Sequence, residues 1–151
     1  MPIDTQAIFT NALVGKHCVV KREEHFWIFQ FGEGGGITVY SPWRLIRGDR
    51  VFCSDSDHGH KFGLSEPFDA EAEVNTLLRD KPVLGARLDH ILADIRITFA
   101  DEIRLEILNF SGGFEGWGAG LHPDGGHVRI QGLGGGDLAV WGKPVSDWEV
   151  P

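Results

Sequence analysis

Two stretches of this chain carry residue types that do chemistry. The first is Asp55-Ser-Asp57-His58-Gly-His60. Carboxylates and neutral imidazoles are the usual ligands of divalent metals. On an extended chain Asp55 and Asp57 share one side, and so do His58 and His60, which suits a chelating loop. The spacing matches neither the helical H-E-x-x-H pair nor the regular Asp/Asn pattern of a calcium loop. Asp, Ser and Gly are also ordinary turn residues. The stretch therefore reads first as a solvated loop, with a divalent-metal site as the alternative and no other cofactor implied.

The second stretch gathers Glu115, His122, Asp124 and His127 around a late hairpin. Glu115 lies two residues before Trp117, which makes it a candidate acid beside an aromatic wall; the plainer reading is a strand-end carboxylate. Trp43, Arg44, Glu115 and Trp117 are candidate binding residues, since aromatic side chains and arginine anchor interfaces. Core filling competes for the tryptophans, given how much area an indole buries. No catalytic residue is assigned. There is no G-x-S-x-G elbow, and Cys18 beside His17 alternates to the opposite face of a strand.

The elements that would position these residues are strands. Trp27-Ile-Phe-Gln-Phe31 and Ile37-Thr-Val-Tyr40 flank Gly32-Glu-Gly-Gly-Gly36 as a hairpin. Symmetric closure sets Phe31 opposite Ile37, Phe29 opposite Val39 and Ile28 opposite Tyr40, with both faces apolar and covered. A strand follows the glycines here and after Gly134-Gly-Gly136, so neither run is a phosphate cradle, which needs a helix. Ser41-Pro42 breaks the ladder. Residues 43–47 and 50–54 pair across Gly48-Asp49. A second hairpin sets Phe99 opposite Ile103, Ile97 opposite Leu105, Ile95 opposite Ile107 and Arg96 opposite Glu106.

The upstream contexts also match. Asp4, Ala7, Leu13 and Lys16 recur as Asp69, Ala72, Leu78 and Lys81, each in a helix with one apolar face. This predicts an α+β single domain over residues 1–151: two helices on bent antiparallel β-sheet, built by tandem duplication of a helix plus β-meander unit, at about residues 4–65 and 69–142. Beyond it, Trp148 is expected to pin an irregular tail.

Composition narrows the function. The formal net charge of −8 argues against a phosphate-backbone partner, which needs clustered lysine and arginine. No apolar run is long enough to span a membrane, and no secretion signal is visible at the start. Cys18 and Cys53 lie in expected strands and read as buried thiols of a cytoplasmic protein.

Four motifs, Ser41-Pro-Trp-Arg-Leu45, Asp57-His-Gly59 with Phe62-Gly-Leu64 and Pro67-Phe-Asp-Ala70, Gly113-Phe-Glu-Gly-Trp117, and Gly134-Gly-Gly-Asp-Leu-Ala-Val-Trp141, are spread over most of the chain. The set resembles a family of small bacterial proteins of unknown function, of the immunity or accessory kind. That family usually has tyrosine where Phe114 stands. The resemblance implies a protein that acts by binding and brings no catalytic residues. The expectation is a non-enzymatic cytoplasmic protein acting through a protein partner or self-association. A metal-dependent enzyme or a small-molecule-binding protein using the loop Asp55–His60 is the alternative, with a pocket between the two units and Trp43 and Trp117 at its mouth.

Overall fold

The computed structural model describes residues 3–143; the place expected for Trp148 lies outside them. Among the described residues there are two α-helices and eleven strands, the first helix followed by five strands and the second by six. Helix α1, Thr5–Leu13, begins at Asp4, whose side chain accepts from the Ala7 N–H. Helix α2, Ala70–Leu78, begins in the same way at Asp69, which accepts from the Ala72 N–H. Each cap satisfies an N–H that the helix leaves without an internal partner.

The strands are β1 Val19–Arg22, β2 Trp27–Gln30, β3 Gly35–Val39, β4 Trp43–Arg47, β5 Arg50–Ser54, β6 Val83–Leu88, β7 Ile95–Phe99, β8 Ile103–Ile107, β9 Trp117–Leu121, β10 His127–Gly132 and β11 Leu138–Lys143. They form two antiparallel sheets, ordered β1-β2-β3-β9-β10-β11 and β5-β4-β8-β7-β6. This corrects the expectation of one bent sheet. The chain changes sheets at Ser41-Pro42, where proline supplies no N–H to continue the ladder, and again between β8 and β9. Each sheet therefore joins a three-strand meander from one half of the chain to later strands of the other half.

The inner faces meet in one core. Trp43 packs edge-on against Trp27 and Phe29, at ring separations of 5.1 and 5.3 Å, and these contacts tie one sheet to the other. Phe9 of α1 meets Trp117 at 5.8 Å in the same T-shaped geometry, which aromatic quadrupoles favour. The helices close the open sides. Gln6 of α1 accepts from the Leu88 N–H and donates to the Ala86 carbonyl on edge strand β6. Asn75 of α2 does the same for Val20 on edge strand β1. Two edges that would otherwise invite another strand are thereby paired by side chains. Among the described residues no helix is long and apolar enough to cross a membrane.

The second hairpin has the expected register, Phe99 with Ile103 through Ile95 with Ile107. The first is shifted by two residues: Phe29 pairs with Ile37 and Trp27 with Val39. The Phe31 N–H bonds to the Gly35 carbonyl, so the turn closes sooner and Gly35 and Gly36 join the strand. A two-residue shift keeps every side chain on its face. Only one face is covered, however. Trp27, Phe29 and Phe31 are buried, whereas Gln30 and Tyr40 are exposed.

Candidate functional site

Residues 55–60 build a turn rather than a ligand set. Asp55 to Asp57 form one turn of 3-10 helix after β5. The Asp55 Oδ1 accepts from the Trp43 N–H at 3.2 Å, and the Asp57 Oδ2 from the Ser54 N–H at 2.9 Å. The Nδ1 of His58 accepts from the Ala70 N–H at 3.1 Å, at the start of α2, and its ring stands edge-on to Trp27. His60 turns outward beside Phe62. Asp55, Asp57 and His58 thus hold β4, β5 and α2 together. Among the described residues no three His, Cys, Asp or Glu side chains converge as a metal would require.

The second cluster divides. His122 and His127 stack at 5.1 Å on the surface, and Asp124 accepts from the Asn11 amide. Glu115 lies at the other end of β9, roughly 20 Å of strand away. Trp43 and Trp117 are both core residues, 1% and 0% exposed. The Trp117 indole N–H donates to the Ala93 carbonyl at 2.7 Å. Neither indole stands at a mouth. Both cysteines are free and buried. Burial pushes the Cys18 thiol far up. Burial first, then the Asp57 and Glu73 carboxylates, pushes Cys53 up to about 12.

Arg44 does belong to a polar site, and most of its neighbours were not singled out in the sequence. On the outer face of the five-stranded sheet, Arg87, Arg96, Glu106 and Arg44 lie in one row across β6, β7, β8 and β4. Glu106 is only 7% exposed. It accepts from the Arg44 Nε at 2.7 Å and the Arg104 Nε at 3.2 Å, and lies 3.4 Å from an Arg96 nitrogen. Burial alone would raise its pKa; the hydrogen bonds and charges of Arg44 and Arg104 outweigh that and hold the carboxyl below its ordinary value.

Arg87 makes no ion pair among the described residues, yet faces Arg96 directly across the ladder. The two guanidinium-bearing strands border a cavity of about 610 Å³, which also takes in Gln6, His90 and Thr98 and no carboxylate. A neighbouring hollow of about 620 Å³ reaches from Arg87 past Glu106 to Arg44, and there Asp89 and Asp94 are also present. Those two carboxylates hold the backbone N–H groups of Ile91 and Asn109. The sequence did show Arg96 opposite Glu106, as a register aid. Adding Arg44 required knowing that β4 lies beside β8, and adding Arg87 required the β6–β7 register, which is irregular between Val83 and Gly85.

Glu115 belongs to a different cavity, of about 460 Å³, between the β3–β4 and β8–β9 connections. Tyr40, Phe110 and Phe114 line it and are 53%, 76% and 82% exposed. Ser41, also in the lining, has a buried hydroxyl with no hydrogen-bond partner among the described residues. Comparison with protein-family models, curated proteins and solved structures finds no match to this chain.

Proposed function

We propose that this is a non-enzymatic binding protein that acts through a protein partner, taking carboxylates of an acidic segment on the arginines of its five-stranded sheet. The observation that carries this reading is the Arg87–Arg96 pair. Like charges directly opposite each other destabilise a sheet, and here Glu106 offsets Arg96 while Arg87 makes no ion pair among the described residues, on the side where the two border a hollow without a carboxylate of its own. A bound oxyanion removes that cost. A guanidinium is a planar fork that matches a carboxylate with two parallel hydrogen bonds. Arg96 engages Glu106 through one nitrogen at 3.4 Å, so it is held in place with other donors left over. The overall charge of −8 opposes a nucleic acid in this role. A second copy of this chain carries the same net charge and is repelled at long range, so self-association belongs to the same reading only through local carboxylates that meet the arginine face. The resemblance to immunity and accessory proteins supports a binding role, and the two free thiols fit a cytoplasmic setting.

The test is titration with an oligo-glutamate peptide, alongside sedimentation of the protein alone. Binding that weakens steeply with salt, and about tenfold in either Arg87→Ser or Arg96→Ser, is the expected result. Indifference of both variants, with a monomer at all concentrations, removes the proposal.

We also infer a tandem duplication. It is supported by the reciprocal exchange of strands between the two sheets, by the caps Asp4 and Asp69, and by their neighbours. Gln6 and Glu71 occupy the same place in the two helices, and each accepts from an edge-strand N–H of the other half, Leu88 and Arg22 respectively. Failure of residues 4–54 and 69–131 to superpose, helix on helix and strand on strand, counts against it.

A further inference from the structure

The cavity beside Glu115 calls for a ligand of different chemistry from the arginine face. Tyr40 ends the first meander, while Phe110 and Phe114 come from the connection after β8, so three aromatic rings reach one hollow from both halves of the chain. Large apolar side chains left this exposed, and gathered in one place, mark a binding surface rather than incidental exposure. The Tyr40 ring is braced at 5.6 Å by Phe26. Phe110 and Phe114 make no ring–ring contact among the described residues, so their faces are not occupied by each other. Glu115, exposed and without an ion pair among the described residues, supplies a carboxylate at the same hollow.

From these groups we infer a site for an alkylated ammonium cation. Ring faces carry negative quadrupole potential and attract a cation. The carboxylate adds attraction for the same charge and repels an anion. A primary ammonium is a compact, strongly hydrated charge and needs acceptors for its protons, which ring faces supply poorly. A trimethylammonium group has no N–H and presents methyl groups to the rings, so it loses little on leaving water. A neutral apolar ligand would use the rings but gain nothing from Glu115. The volume of about 460 Å³ admits one small cation of this type. The negative charge of the whole chain raises its local concentration.

The test compares choline with its neutral carbon isostere, 3,3-dimethyl-1-butanol, at matched ionic strength, by calorimetry and by NMR of the aromatic side chains. Choline is expected to bind saturably and at least about tenfold tighter than the isostere. Phe114→Leu and Glu115→Gln, both at exposed positions, are each expected to weaken choline by roughly three- to tenfold. Arg87→Ser leaves choline binding unchanged, which keeps this site separate from the arginine face. A peptide carrying trimethyl-lysine tells whether the ammonium arrives on a protein or free; tighter binding by either form supports the site. Equal affinity for choline and the isostere, saturation by neither, or indifference of both variants overturns it.

Discussion

Replacing Glu106 with glutamine keeps the shape of the side chain and removes its charge, which isolates what the carboxylate does among its arginines. Two charge-assisted hydrogen bonds reach it, from Arg44 at 2.7 Å and Arg104 at 3.2 Å. Each such bond is worth about 1.5–3 kcal/mol when fully buried. The three arginine side chains are 38–58% exposed, so water screens the pair and roughly half of that survives. The amide oxygen still accepts one bond. The expected loss is about 2 kcal/mol at pH 7, or a fall of roughly 5 °C in Tm for a domain of this size. Urea unfolding of parent and variant measures it.

The pH dependence gives that number a sign. The folded Glu106 carboxyl lies below its ordinary value, so its stabilisation is complete above about pH 4.3, where an unfolded glutamate titrates. It is lost as pH falls through the folded value, because the native state must then take up a proton it resisted. The gap between parent and E106Q is therefore full at pH 7 and closes as the pH falls below the ordinary glutamate range and through the lowered folded value. A variant within about 0.5 kcal/mol of the parent at pH 7, or a gap that widens on acidification, refutes the reasoning.

Two further outcomes follow from the same architecture. Gly35 has φ +108, and a Cβ there would collide with the Gly120 carbonyl on β9. Gly48 has φ +62 with open space around it. Gly35→Ala is expected to cost about 4 kcal/mol or more, since backbone must move, and Gly48→Ala only about 1–2 kcal/mol for its left-handed conformation; chemical denaturation of both variants checks the order. Residues 59–67 are exposed, so the chain tolerates a break there. Fragments 1–63 and 64–151 should each fail to unfold cooperatively alone and should combine one to one on mixing, because every sheet needs strands from both. A monomeric, cooperatively folding 1–63 fragment would sink this picture.

What the sequence disclosed, and what it withheld, separates by the range of the interactions. The recurrence of Asp4 as Asp69 at the head of each helix and the β7–β8 register are local and were legible; that each aspartate caps an N–H three residues on comes from the structure. The Gly-rich turn was misread by two residues because glycine permits several closures, and the one adopted is set by the bond from Phe31 to Gly35. Sheet membership had no local mark at all. Nothing near Gly35–Val39 says that β9 lies beside it, and nothing near Trp43 says that β8 does.

The arginine face inherits that blindness. Arg44 and Glu106 are separated by 62 residues and become neighbours only through the exchange of strands between sheets. The tryptophans misled for the opposite reason. Their chemistry suits a binding wall and a core equally, and at Trp43 and Trp117 the inner-face positions of two facing sheets decided for the core. Three of the exposed aromatics, Tyr40, Phe110 and Phe114, lie at the connections where the chain leaves one sheet for the other. There no facing layer covers them, so topology rather than residue type decided which rings meet solvent. The two surfaces proposed for binding, one of arginines and one aromatic with a carboxylate, both meet that exchange, which brings Arg44 beside Glu106 and leaves the three rings without a facing layer.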